Sequence, residues 1–136
     1  MTNSKQRVFV VDDEPVIAMT LAQILYLEGY DVIAFTDPKQ ALEAFRHTCA
    51  DLLVSDVMMP GLTGVDLAIH VKTLCPSCQV LLISGNATTI DLLSSARERG
   101  HDFLLLAKPI APPQLIEAIR SSFQRVALPA KSSRRS

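Results

Sequence analysis

The 136-residue chain lacks any marked excess of charge: 13 Lys and Arg stand against 14 Asp and Glu, for a net charge of -1. Such a balance gives no general attraction to nucleic acid or acidic lipid, so neither direct DNA binding nor membrane attachment is expected. Long apolar runs are missing as well. None approaches the roughly 18 residues that a membrane span needs. Met1 to Arg7 is polar, with two basic groups and no apolar core of a secretory signal. Cysteine is scarce: Cys49, Cys75 and Cys78 form an odd set without an export signal, which argues for reduced thiols in the cytoplasm. Cys75-Pro76-Ser77-Cys78 has the C-x-x-C spacing of redox and half-zinc sites, but without a second ligand pair it reads as ordinary loop thiols. His47, His70 and His101 fall on expected helices or near a turn and read as solvated groups.

What is present is a globular balance of 49% apolar and 20% charged residues, enough for one domain with one sizeable core. The positive mean hydropathy fits several short buried strands. Arg7 to Val11 reads as a strand ending in Asp12-Asp13-Glu14-Pro15, and Ile17, Leu21, Ile24, Leu25 and Leu27 then recur at helical spacing up to Gly29. Asp31 to Phe35, Asp51 to Ser55, Gln79 to Ile83 and Phe103 to Ala107 are four further strands. Helices are expected after Asp37-Pro38, after Pro60-Gly61 up to Pro76, from Ile90 to Gly100, and from Pro112-Pro113 through Phe123.

Strict alternation of strand and helix argues for a parallel sheet with helices on both faces, and the apolar first, third, fourth and fifth strands fit burial on both sides. From Leu128 to Ser136 the composition turns small, polar and basic. The expected organisation is therefore one domain over residues 1–127 and a disordered basic tail over 128–136.

In right-handed parallel crossovers all strand ends of one kind lie on one rim. The carboxyl rim would then collect Asp12 and Asp13, Asp56, Ser84 and Lys108 from four different strands. Three neighbouring carboxylates repel and call for a cation. Hard oxygen donors without histidine or thiolate favour Mg²⁺ or Mn²⁺, and a backbone carbonyl in the turn after Asp56 could add to the set. A carboxylate can also act as a nucleophile toward phosphorus, with the metal, the Lys108 ammonium and the Ser84 hydroxyl neutralising the transferred group.

The acidic pair Asp12-Asp13, the turn Asp56-Val57-Met58-Met59-Pro60 with Gly64 behind it, Ser84-Gly85 and Lys108-Pro109 stand in this order, each at a strand end. By these motifs the chain, over about residues 6 to 126, resembles the receiver domain of two-component response regulators. The resemblance implies a flavodoxin-like, doubly wound five-stranded parallel sheet of order 2-1-3-4-5 with five helices. It implies that Asp56 accepts a phosphoryl group from a histidine kinase or histidine phosphotransfer protein. It further implies that Asp12, Asp13, Asp56 and the Met58 carbonyl hold Mg²⁺, that Lys108 contacts the phosphoryl group, and that Ser84 is the switch hydroxyl. Such a protein is a switch that catalyses its own phosphorylation and dephosphorylation and is not a dedicated enzyme. Its output would run through the face of the fourth helix, fifth strand and fifth helix to a protein partner.

Two departures from the family pattern stand out. The position three before the lysine, usually aromatic, is Leu105, the nearest aromatic is Phe103, and the segment from Gly100 to Lys108 is one residue longer than usual, which raises the prospect of a bulge or altered strand entry. No output domain follows the last helix, so a stand-alone receiver is expected. The displaced aromatic motivates an alternative reading, an interaction module of the same fold that no longer switches. An FMN or nucleotide binder is disfavoured because the first strand ends in acids where a phosphate loop needs glycine and backbone N–H groups. A haloacid-type phosphatase lacks its second aspartate two residues after Asp56.

Overall fold

Five short apolar stretches, each closed by a polar or turn residue, form the strands β1 (Arg7–Val11), β2 (Asp31–Phe35), β3 (Leu52–Asp56), β4 (Gln79–Ser84) and β5 (Leu104–Ala107). The helices between and after them are α1 (Pro15–Leu27), α2 (Pro38–His47), α3 (Gly64–Leu74), α4 (Thr89–Glu98) and α5 (Pro112–Ala127). The computed structural model describes residues 5–85 and 89–127. The expected basic tail, 128–136, lies outside them.

Local chemistry explains the boundaries. Pro15 and Pro38 open their helices, where the missing N–H costs no hydrogen bond. The Asp37 carboxylate caps α2 by accepting from the Lys39 N–H at 2.9 Å. Gly29, at φ 97°, turns the chain out of α1, a conformation that a side chain would strain.

All strand pairs are parallel and the order is β2-β1-β3-β4-β5, the flavodoxin-like arrangement. The sequence direction of neighbouring strands reverses between β1 and β3, so the crevice at their carboxyl ends is where such sheets bind ligands. Side chains alternate strictly across the sheet. Val8, Val10, Leu52, Val54, Leu81 and Ile83 pack with Leu25 of α1 and with Leu115 and Ile119 of α5. Phe9, Val11, Leu53 and Leu82 face the other way, against α2, α3 and Ala96 of α4. Phe9 is the aromatic hub there, edge-on to Phe35 at 5.2 Å and to Phe45 at 4.7 Å.

Two expectations are corrected, and one left open between a bulge and an altered strand entry is decided. First, β5 is not buried on both sides: Leu104 and Leu106 turn inward, but Leu105 is 37% exposed and Ala107 is exposed too. As the last strand of the sheet it has a neighbour on one edge only. Second, β5 begins at Leu104, one residue after Phe103, and its register with β4 is unbroken from Leu81↔Leu104 to Ser84↔Ala107, so the longer approach is absorbed before the strand and not in a bulge. Third, the cysteines are not three reduced loop thiols. Cys49 and Cys75 form a disulfide with a Cα–Cα distance of 5.8 Å, and Cys75 and Cys78 are buried. Helices α2 and α3 pack side by side, which brings their carboxyl ends together, and the turn Cys75–Cys78, closed by the Cys78 N–H donating to the Cys75 carbonyl at 2.9 Å, leads into β4.

No described helix is long and apolar enough to cross a membrane.

Candidate functional site

Strands β1, β3, β4 and β5 each deliver their last or next residue to the same rim. The Asp12 N–H donates to the Phe35 carbonyl at 3.1 Å, prolonging the β1–β2 ladder by one residue. Its carboxylate is therefore fixed at the rim, where Oδ1 accepts from the Glu14 N–H at 2.9 Å and the residue is only 1% exposed. Asp56 is the final residue of β3, paired in register with Ile83 and 8% exposed. Ser84 ends β4 and is buried. Lys108 directly follows β5, and its N–H donates to the Ser84 carbonyl at 2.9 Å. The Lys108–Pro109 peptide is cis.

These elements bring the expected residues together. Lys108 Nζ lies 3.3 Å from Asp12 Oδ2 and 3.4 Å from Asp56 Oδ1, bridging β1 and β3 across the crevice. One carboxylate oxygen from each of Asp12, Asp13 and Asp56 falls within 4.8 Å of the others. Beside them opens a cleft of about 280 Å³, lined by Asp13, Glu14, Asp56, Met58, Ser84 and Lys108. Glu14 is a fourth acid at this cleft that sequence reasoning treated only as a helix-start residue. Its adjacency to the Asp12-Asp13 pair was the available signal.

The turn after Asp56 folds back onto it. Thr63 caps α3 by accepting from the Asp66 N–H at 3.0 Å, and the Gly64 N–H donates to the Val57 carbonyl at 2.7 Å. A Cβ at Gly64 would overlap the carbonyl oxygen of Asp56 and stand 3.0 Å from Val57 Cα. Only glycine lets the amino end of α3 approach the end of β3 this closely.

The electrostatics follow from crowding. Burial, then the neighbouring Asp12 charge, push the Asp56 carboxyl above its usual range, with Lys108 pulling in the opposite direction. Burial works against the Lys108 ammonium, but Asp12 and Asp56 together outweigh it and raise its pKa, so it stays charged at neutral pH. A single ammonium among three carboxylates leaves net negative charge in a half-closed cleft. Oxygen-only donors of that sign suit a hard divalent cation and not zinc or copper. The cluster could hold such an ion, and the chemistry of the donor set fits.

The remaining singled-out residues lie elsewhere. Phe103 packs into the core on the α4 side, with His101 stacked on it at 5.6 Å, so His101 is half-buried and not solvated as expected. His47 is exposed and pairs with Glu43 at 3.0 Å, and His70 is exposed. Leu105, in register with Leu82 and therefore on the α3 and α4 side of the sheet, is exposed and does not line the cleft.

Comparison with known proteins agrees with this geometry. The family model described as the response regulator receiver domain matches residues 8–120. The DNA-binding response regulator MtrA of Mycolicibacterium smegmatis is 30% identical over 125 residues, 92% of this chain and 54% of that protein. The chain thus spans about half the length of that curated relative. A response regulator receiver domain protein from Clostridium thermocellum superposes with a TM-score of 0.81 at 27% identity, covering 90% of this chain and 98% of that one. A CheY-like receiver domain protein from Methanospirillum hungatei shares the fold with a TM-score of 0.83 at 24% identity, covering 91% and 98%.

Proposed function

The chain belongs to the response regulator receiver domain family, and from that premise we propose that it is a phosphorylation-dependent switch whose phosphoacceptor is Asp56. Receiver domains are signalling modules of two-component systems and not dedicated enzymes. The observation that carries the proposal is the bridge of Lys108 Nζ between Asp12 and Asp56 at 3.3 and 3.4 Å. It leaves Asp56 facing a cleft that also holds Asp13, Met58 and Ser84.

The phosphodonor is the phosphohistidine of a histidine kinase or histidine phosphotransfer protein. Asp56 Oδ attacks phosphorus, the O–P bond forms as the P–N bond breaks, and the electron pair returns to the imidazole. Asp12, Asp13, Asp56 and the Met58 carbonyl would hold Mg²⁺, or Mn²⁺, which when bound neutralises charge on the phosphoryl oxygens. Lys108 lies close enough to Asp56 to follow the transferred group with its ammonium, a preorganised charge that needs no reorientation from solvent. The Ser84 hydroxyl, buried at the end of the adjacent strand, completes the ring of polar groups around it. The same arrangement would return the phosphoryl group to water, so the domain, spanning residues 1–127, sets its own phosphorylation and dephosphorylation in the cytoplasm.

Output runs to a protein partner through the face of α4, β5 and α5, where Ile90, 65% exposed, and Leu105, 37% exposed, present apolar surface. The test is incubation with Mg²⁺ and acetyl phosphate. Wild-type protein takes up one labile phosphoryl group and Asp56→Asn takes up none; equal labelling of the variant overturns the assignment.

A further inference from the structure

On the side of the molecule where α2 and α3 end, the structure joins two sulfurs that the proposed signalling chemistry does not use. Cys49 is exposed, just past the end of α2. Cys75 caps the end of α3 and is 2% exposed. They are 26 residues apart in sequence yet 5.8 Å apart between Cα atoms, inside the range that a disulfide spans without backbone movement. The partner chosen by Cys75 is informative. Its C-x-x-C neighbour Cys78 is left free, 1% exposed, with Sγ at 3.3 Å from the Gln79 carbonyl oxygen. Burial pushes the Cys78 thiol up to about 12, so it supplies almost no thiolate at neutral pH.

We propose that Cys49 and Cys75 are a thiol–disulfide exchange site for small disulfides of the glutathione class, with Cys49 the entry sulfur and Cys75 the resolving one. In the reduced protein, the Cys49 thiolate attacks one sulfur of oxidised glutathione. A Cys49–glutathione bond forms and the first glutathione thiolate leaves. The Cys75 thiolate then attacks Cys49 Sγ, the protein cross-link forms and the second glutathione leaves. Two protein thiols are oxidised, one glutathione disulfide is reduced to two thiols, and the two protons pass to the departing thiolates. The order follows from exposure, because a bulky disulfide reaches Cys49 but not Cys75. The cross-link ties the ends of α2 and α3. Helix α3 begins at Gly64 against Asp56, so the bond restrains the far end of the helix that frames the acidic cleft. The site stands independently of the phosphoacceptor assignment.

The test uses the full chain, reduced with dithiothreitol, desalted, treated with oxidised glutathione and then alkylated before and after denaturation. Non-reducing peptide mapping is expected to show Cys49 linked to Cys75, with Cys78 alkylated only after denaturation. The oxidised form is expected to melt roughly 10 °C above the reduced one, as a closed loop of this length allows. Cys75→Ser, which removes the resolving sulfur, should strand one glutathione on Cys49. Three alkylated thiols after treatment, or a link from Cys75 to Cys78, would overturn the proposal. If the variant folds poorly, the wild-type map decides alone.

Discussion

Gly64 lies against the backbone carbonyl of Asp56 so closely that no side chain fits between them. The contact is between backbone atoms, which cannot yield as a flexible side chain would. Gly64→Ala should therefore lower stability by roughly 2–4 kcal/mol, well beyond the cost of an ordinary glycine replacement. Urea unfolding monitored by circular dichroism measures it. A loss under about 0.5 kcal/mol would mean that the turn and α3 shift freely, and that the strand end is not rigidly framed.

Asp56→Asn should stabilise the fold at pH 7, on the order of 1 kcal/mol. The folded carboxyl titrates above its ordinary value of 3.8, so the folded state keeps its proton to higher pH than the unfolded chain does. The ionised form accordingly costs stability, a cost absent below the unfolded value and fully present above the folded one. The advantage of the variant should shrink as the pH is lowered toward 4. Thermal melts of both proteins across that range provide the check, and an advantage that grows on acidification would reverse the sign.

Lys108→Ala should move two measurements in opposite directions. Removing an ammonium 3.3 Å from Asp12 and 3.4 Å from Asp56 leaves a more negative cleft, so Mg²⁺ should bind roughly tenfold tighter. Phosphoryl transfer from acetyl phosphate should nonetheless slow by about 10²-fold, the usual loss for one preorganised charge at the reacting group. Calorimetry and a labelling time course separate the two. A parallel fall in both would point to a disrupted site and not to a lost phosphoryl contact.

Asp13→Asn removes one of three clustered donors and leaves Asp12 and Asp56 in place. Its effect on Mg²⁺ affinity should be a loss of tenfold or more with little change in melting temperature in the absence of metal, since Asp13 is only half-buried. Wild-type affinity in this variant would remove Asp13 from the metal set. Chelation with EDTA should likewise stop labelling of the wild-type protein.

Much of the site was legible because a parallel sheet turns local signals into a shared location. A short apolar run that stops at Asp12, Asp56, Ser84 or Lys108 marks a strand end, and parallel pairing carries all four to one rim. What stayed hidden depends on neighbours far away in sequence. Leu105 looks like any core leucine; only the place of β5 at the sheet edge leaves it exposed. Cys49 and Cys75 carry no pairing signal, since their approach comes from the packing of α2 against α3. The C-x-x-C spacing links Cys75 only to Cys78, which reads as a loop thiol and which the turn buries away from exchange. Gly64 was visible as a residue of the turn, but its tight approach to Asp56 is a property of the folded backbone.

In the proposed switch it is Asp56 itself, and neither of the neighbouring acids, that takes the phosphoryl group. An acyl phosphate, unlike a free carboxylate, is reduced by borohydride to an alcohol, so treatment after phosphorylation converts the acceptor aspartate to homoserine. Peptide mass spectrometry of protein incubated with acetyl phosphate and Mg²⁺ should find homoserine at position 56 alone, and none without the donor. Homoserine at position 12 or 13, or unmodified Asp56 in protein that carries label, would contradict the account.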